Sequence, residues 1–504
     1  MKFIAKIMDV GTADPLAIMC AEDAILLGLK ENDRVRIDAK KSSTAMLDTT
    51  RYMIKKRGLM YLSDSVMNKI EAKDGDEVDV VFAASPECIR TIRKKMDKEE
   101  LTKEEISEVV KDILNGKLSR MEISAWLTAL YINGMNIDEI AAFTQAMVDT
   151  GDRIEFDRTP VYDFHSMGGV PGNKITPIVV SIVASAGMML PKTSSRAISS
   201  ACGTSDFVET FCNVELDART LKKIAEETGG VFAWGGSMNL APVDDMVIKI
   251  EHPLGINPRA QMLASILSKK VAVGATHLVI DIPTGEGTKV KTLEDARLYA
   301  RDFMDLGERL GIRIECAITY ADQPVGSAIG PILEARECIR ILEGNKHPES
   351  VIEKACDLAG MILEMGGINN GPERALEILN SGKALKKFRE IVAAQGGNYD
   401  IKSDDLVPGK YMLEVSSVKS GYVHSINNKD LVSIAKAAGS PNDKGAGLML
   451  LRKKGQRVEK GDILFQIYGE SEPKVLRAKD LAIKYQPIVI EGMLIKKITA
   501  SKVR

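Results

Sequence analysis

The residues of this chain best placed to do chemistry fall between Val161 and Asp206. His165 and Ser166 lead into SMGGVPGNK, where Ser166 to Lys174 pack three glycines and one proline into nine positions. Backbone N–H groups exposed by a glycine-rich turn at a helix start converge with the positive end of the helix dipole, and that arrangement favours an anion. The spacing fits neither G-x-G-x-x-G nor G-x-x-x-x-G-K-S/T, so neither a dinucleotide fold nor a Walker loop is read into it. Downstream, Thr193, Ser194, Ser195, Arg196, Ser199, Ser200, Thr204 and Ser205 crowd the stretch Lys192 to Asp206. Hydroxyls with one arginine suit a phosphorylated sugar. A second glycine-rich loop, Pro283 to Lys289, can approach a ligand closely and has Lys289 as its only base. Such turns also join strand to helix in many α/β proteins, and Ser/Thr clusters are often plain loops; the residue types alone leave both readings open.

These residues need a rigid support, and the pattern around them supplies one. Val161 to His165 reads as a buried strand before the first loop. After it, Thr176 is expected to cap a helix with Pro177 in its first turn, and Ile178, Val179, Ile182, Val183 and Ala186 would bury one face. A short strand is expected at Met188 to Leu190, others at Val231 to Ala233, His277 to Ile282 and Ile312 to Ile318. Helices alternate with them at Leu216 to Thr228, Leu293 to Leu310, Pro331 to Leu342, Val351 to Met365 and Gly371 to Asn380, which predicts an α/β sheet with helices on its faces.

Other regions differ in character. Over 1–86, short β-like segments carry a weak repeat: Leu29 to Ile37 echoes Ala72 to Val80, each a polar turn followed by an alternating strand, which predicts a small pseudo-symmetric β-barrel without a catalytic constellation. Over 87–158 the pattern is helical, with Thr102 and Glu105 spaced as a capping box and Gly151 ending the helix from Ile137. From 411 to 504 short strands and turns dominate. KKGQRVEKGD resembles a biotinyl-type hammerhead, but no modifiable lysine sits in an A-M-K-M-like turn, so a carrier role is rejected. The expected domains are 1–86; 87–158 with 240–272 returning to it; 159–239 with 273–410; and 411–504.

Composition narrows the partners. With 504 residues, 68 basic and 70 acidic side chains and a net charge of −2, the chain has no overall field to recruit nucleic acid or an anionic membrane. Its seven cysteines are scattered without C-x-x-C pairing, which points to a reducing, cytoplasmic setting and to no structural zinc. No apolar run approaches the about 20 residues a bilayer demands, and the amino terminus lacks a basic-then-apolar signal pattern.

HSMGGVPGNK followed by SSRAISSACGT closely resembles the signature of the pyrimidine-nucleoside phosphorylase family. The long amino-terminal extension, the inserted Pro171 and the later IDIPTGEGTKV resemble its archaeal AMP phosphorylase branch. RKKMDKEELTKEEI is similar to the opening of that family's helical domain, and the carboxyl-terminal region to its β-rich tail. The resemblance implies a type II nucleoside phosphorylase-like fold: α/β with accessory domains, namely an amino-terminal small β-barrel of double-psi-like form, a helical domain, and a large mixed α/β domain with a β-rich carboxyl-terminal part.

The same resemblance implies phosphorolysis of AMP by inorganic phosphate to adenine and ribose 1,5-bisphosphate, without metal or organic cofactor, by a homodimer or larger homo-oligomer. It places Ser166, Gly168, Thr176 and Ser194 on inorganic phosphate. It places Gly169, Ser195, Arg196, Ala197, Ile198, Ser199, Ser200, Thr204, Ser265 and Lys289 on AMP. It makes position 257, here Asn257, the site of the proton donor to the base; on chemical grounds His165, a histidine just before the first loop, is then expected to supply the proton or electrostatic help.

Departures from the pattern count as well. Phe164 stands where thymidine-specific members carry lysine, and Ile250 where they carry a base-binding arginine, which argues against pyrimidine nucleosides. At 257 the branch has an acid and this chain has asparagine, whose neutral amide donates a hydrogen bond but not a proton. Two further readings therefore stay open: a thymidine or uridine phosphorylase, and a nucleotide-binding scaffold with low turnover. A phosphoribosyltransferase of the related tryptophan-pathway fold would call for metal-binding carboxylates that the sequence does not assign.

Overall fold

Six strands close a barrel at the start of the chain: β1 (Lys2–Met8), β2 (Leu16–Cys20), β3 (Arg34–Asp38), β4 (Ser42–Thr50), β5 (Leu59–Ser63) and β6 (Glu77–Phe82), in the order β1-β5-β2-β4-β3-β6. The computed structural model describes residues 1–494 apart from 10, 13, 53, 55, 198 and 199. The repeat in the sequence is a repeat in the fold. β2 runs into the helix Ala21–Leu26 and β5 into Asp64–Ile70. The polar turns that follow are built alike, the Lys30 N–H donating to Asp33 Oδ2 at 2.8 Å and the Lys73 N–H to Asp76 Oδ2 at 2.7 Å. β3 and β6 then pair antiparallel, with Ile37 opposite Val80, and the period-2 set Val35, Ile37, Val78 and Val80 points into the barrel.

Four helices follow: Cys88–Met96, Lys103–Leu114, Arg120–Asn133 and Ile137–Val148. Three of them start on capping boxes, Thr102 with Glu105, Ser119 with Glu122 and Asn136 with Glu139, and each N-cap is worth about 1 kcal/mol. Their core holds Trp126 edge-on to Phe143 at 5.9 Å, and takes in Val243, Val247, Ile250 and Ala264 from the later helices Pro242–Leu254 and Arg259–Ala272. Met1–Thr150 and Ala241–Ser265 together make one compact unit. Gly151–Leu240 and the chain from Ile266 onward make the other.

The second unit is built on parallel strands: β7 (Tyr162–Ser166), β8 (Leu190–Ser194), β9 (Gly230–Trp234), β10 (His277–Thr284) and β11 (Arg313–Tyr320). β11, β10 and β7 form one sheet and β8 with β9 another; a parallel bridge between Val161 and Met189 links them. Helices cover the strands, so β10 is buried from Leu278 to Pro283 without alternation, as in a sheet covered on both faces. The helix Thr176–Ser185 is buried on every side rather than on one face, because it packs against Glu349–Met365, Gly371–Asn380 and Lys383–Ala394 as well as β8 and β9. Its cap is Ile175, without a side-chain bond, and Thr176 is its first helical residue. The strand expected at Met188 to Leu190 begins later and runs to Ser194, because its polar residues pair with β9.

Toward the carboxyl end, Tyr411–Ser416, Gly447–Leu450 and Ile463–Gly469 form a sheet with Ala328–Ile329, while Gly421–Ile426, Arg457–Val458 and Ile488–Glu491 form a second. The helices Asn428–Ala438 and Glu472–Tyr485 share a core with them. Among the described residues no helix is long and apolar enough to cross a membrane.

Candidate active site

Parallel register sets out the site. Ser166, the last residue of β7, pairs with Asp281 inside β10. Ser194, five residues past the Val161–Met189 bridge just as Ser166 is, ends β8 opposite Trp234 of β9. Loops leaving that edge carry most of the expected site residues, as ligand loops do in parallel α/β sheets.

The first glycine loop depends on backbone that only glycine adopts cheaply. Gly168 and Gly169 have φ of +79° and +89°. A Cβ on Gly169 would lie 2.9 Å from the backbone nitrogen of Lys289 and 3.3 Å from Thr288 Cα, so the two glycine-rich loops pack directly on each other. Ser166 Oγ accepts from Asn173 Nδ2 at 3.1 Å and from the Gly168 N–H at 3.4 Å, and the Met167 N–H donates to the Asp281 carbonyl at 2.9 Å. Asp281 is itself buried, held by Lys354 at 2.8 Å and by Thr319 Oγ1 at 2.5 Å.

The Ser/Thr loop closes around Asp206, a buried carboxylate with no assigned role in the sequence reading. Its Oδ2 accepts from the Ala197 N–H at 2.7 Å and the Gly203 N–H at 2.8 Å, and a Cβ on Gly203 would come within 2.6 Å of both the Ser195 carbonyl and Ala197 N. Ser194 Oγ lies 2.8 Å from Ser205 Oγ, and Thr204 starts the short helix Thr204–Val208. Ser200 Oγ donates to the Cys202 carbonyl at 3.2 Å, and Ala201 is buried in the carboxyl-terminal core, where its carbonyl accepts from Ser440 Oγ at 2.8 Å. Ile198 and Ser199 lie outside the described residues.

Arg196 stacks on the Trp234 ring at 4.7 Å and gives its guanidinium to Glu209 and to Glu215, the latter at 3.0 Å. These bonds run through Nη1 and Nη2, and none of them uses Nε. Lys289 is exposed and ends the second glycine-rich loop, with its backbone nitrogen against Gly169.

Beneath β7 lies a charge cluster that sequence reasoning missed, because lysine in a strand normally reads as a surface residue. Asp163 is fully buried and binds two ammonium groups, Lys192 Nζ at 3.3 Å and Lys270 Nζ at 2.6 Å. Lys192 also donates to the carbonyls of Phe164 at 2.6 Å and Thr193 at 3.0 Å. Burial pulls Lys192 down to about 7 against the attraction of Asp163. His165 is partly exposed at its surface but sits among Lys270, Lys192, Lys289 and Lys269; burial first, and then those cations, hold its imidazole well below the usual range. It is neutral near pH 7, so it offers an N–H to an anion and is a poor proton donor.

The first unit carries the remaining two expected residues. Asn257 is exposed in the link between Pro242–Leu254 and Arg259–Ala272. The half-buried Ser265 donates its Oγ to Asp244 Oδ2 at 2.8 Å, while Gln261 Nε2 donates to Oδ1 at 3.0 Å, so this serine is bonded to the buried pair Asp244 and Gln261. Among the described residues no group of three or more His, Cys, Asp or Glu is arranged to hold a metal.

Comparison with known proteins fits this layout. Residues 89–151 match the helical bundle domain and residues 158–385 the a/b domain of a glycosyl transferase family, and residues 422–488 match a pyrimidine nucleoside phosphorylase C-terminal domain. The chain belongs to that glycosyl transferase family. Within it, several relatives matched over 94% or more of their length are named AMP phosphorylase. The protein of Methanococcoides burtonii is 46% identical over 100% of both chains, and that of Thermococcus kodakarensis 47% identical over 99% of both. AMP phosphorylase 1 of Archaeoglobus fulgidus is 47% identical over 95% of both. The fold extends to the anthranilate phosphoribosyltransferase (TrpD) of Thermus thermophilus, with a TM-score of 0.52 and 22% identity over 61% of this chain and 99% of that one.

Proposed function

We propose that the protein is a pentosyltransferase that cleaves AMP with inorganic phosphate, giving adenine and ribose 1,5-bisphosphate. One observation carries the reading beyond the family match: Gly169 packs on Lys289 N, so a glycine loop suited to inorganic phosphate and a loop bearing a cation suited to a 5′-phosphate share one edge of the sheet. A reaction with two phosphate groups needs two such grips. Ser166, Gly168, Thr176 and Ser194 hold the attacking phosphate. The loop from Ser195 to Thr204, with Lys289, holds the nucleotide's sugar and 5′-phosphate.

In the reaction a phosphate oxygen forms a bond to the anomeric carbon as the bond from that carbon to the base nitrogen breaks. Negative charge grows on the departing base, and a donor there lowers the barrier. By resemblance that donor is Asn257, with Ser265 as a base or nucleotide contact; Asn257 gives a hydrogen bond where an acid would give a proton. Neutral His165, backed by the lysines around Asp163, helps to hold a dianionic phosphate. We place the enzyme in the cytoplasm as a homo-oligomer, on the family resemblance and the unpaired cysteines.

The test is incubation of the protein with AMP, CMP, UMP, thymidine or uridine, with and without phosphate, following free base by chromatography. Phosphate-dependent release of adenine supports the reading. Release from pyrimidine nucleosides alone replaces it with a pyrimidine nucleoside phosphorylase. AMP binding without release makes the protein a scaffold.

A further inference from the structure

The segment Pro324 to Ala328 lies behind the first glycine loop, joined to it by the Val325 N–H donating to the Pro171 carbonyl at 3.0 Å. It has almost no regular structure, yet each of its carbonyls is bonded. Lys453 Nζ donates to Pro324 O at 2.6 Å and Gly326 O at 2.8 Å; Lys174 Nζ donates to Val325 O at 3.0 Å and Ala328 O at 2.9 Å; and the Leu450 N–H takes Ser327 O at 2.9 Å. Two ammonium groups thus do what a strand ladder does elsewhere. Lys174 closes the glycine loop and is 0% exposed, its third proton going to Glu337 Oε2 at 2.5 Å. Glu337 in turn accepts from the Ser327 N–H at 3.2 Å. The fit leaves no spare room: a Cβ on Gly326 would collide with Glu337 Oε2 and lie 2.9 Å from Lys174 Nζ, and one on Gly172 would lie 2.6 Å from Val325 O.

Burying an ammonium costs several kcal/mol unless all its protons are matched, and a lysine that only filled space could be replaced by an apolar side chain. Here the matched acceptors are mostly neutral carbonyls of one irregular segment, and the lysine itself is covalently part of the glycine loop. Lys453 comes from the carboxyl-terminal region, beside a cavity of about 610 Å³ that Gly326, Ser327 and Glu337 also line.

We propose that Lys174 and Lys453 are positioning residues for inorganic phosphate, a two-ammonium clamp on Pro324 to Ala328 that fixes the back of the glycine loop and links its shape to the carboxyl-terminal region. Neither touches substrate. They act through Pro171, Gly172 and Thr176. The clamp rests on the functional reading for its enzymatic readout, so phosphate binding is also measured directly by calorimetry, which needs no turnover of AMP.

In Lys453→Met and Lys174→Ala the affinity for inorganic phosphate should fall about tenfold, because a small displacement of a positioned loop costs that much or more. The Michaelis constant for phosphate should rise in parallel, and that for AMP by less. Methylammonium, which fits the space left in Lys174→Ala, should restore phosphate affinity, whereas tetramethylammonium at equal concentration should not. Unchanged phosphate affinity in the folded variants overturns the clamp. So does an equal loss for AMP and phosphate, or a response to both amines alike. If Lys174→Ala does not fold, Lys453→Met decides alone by the same split between phosphate and AMP. Loss of phosphate affinity in a protein that never cleaves AMP supports the clamp and refutes the proposed reaction.

Discussion

Gly169→Ala puts the packing of the two glycine loops to a direct test. The residue has φ of +89°, where a side chain costs about 1–2 kcal/mol. The new Cβ would also lie 2.9 Å from Lys289 N and 3.3 Å from Thr288 Cα, both backbone atoms, so the loops must part by a few tenths of an ångström. Overpacking of that kind adds about 1–3 kcal/mol. Gly187→Ala separates the two costs, because Gly187 has φ of +84° with nothing within 4 Å of an added Cβ. Both variants should lose stability through backbone strain. Gly169→Ala alone should lose about a hundredfold in kcat/KM for AMP phosphorolysis, since misplaced binding groups cost about that much. The assay pairs thermal unfolding with steady-state rates at varied AMP and phosphate. Rates in Gly169→Ala within threefold of the parent, or an equal loss in Gly187→Ala, would refute the claim that loop approach matters.

Other residues make separate claims. Asn257→Asp should raise AMP turnover, general acid assistance being worth about a hundredfold to ten-thousandfold, and should add a fall in rate at high pH; an unchanged rate and profile would remove protonation from position 257. His165 has a folded pKa held below its unfolded one, so the unfolded chain binds the extra proton and this group's contribution to stability is full above about 6.5 and lost as pH falls. His165→Gln should flatten that acid limb in denaturant unfolding, and an unaltered limb would contradict the neutral imidazole. Lys289→Ala should weaken AMP more than adenosine by about 1.5–3 kcal/mol, and equal losses for the two ligands would take Lys289 off the 5′-phosphate.

How much of this was legible in the sequence depends on range. Glycine spacing from Ser166 to Lys174, the barrel repeat and the capping box at Thr102 are local patterns, and each has its counterpart in the fold. The lysine clusters were not legible, because Lys174, Lys192 and Lys270 find their partners across the fold: Glu337 is 163 residues from Lys174, and Asp163 is 107 from Lys270. The carboxylates that hold Arg196 were not legible either, because Glu209 and Glu215, 13 and 19 residues on, carry no signal of facing it. The helix Thr176–Ser185 read as one-faced because periodicity cannot show that Lys383–Ala394 covers another side.

The most direct measurement of the central claim is product stoichiometry with AMP as substrate. With inorganic phosphate present, the proposed reaction releases adenine and ribose 1,5-bisphosphate one for one, and each bisphosphate carries one phosphorus from labelled phosphate. Without phosphate, adenine should not appear. Adenine released without phosphate, or with ribose 5-phosphate as its partner, would make the reaction hydrolysis and contradict the account.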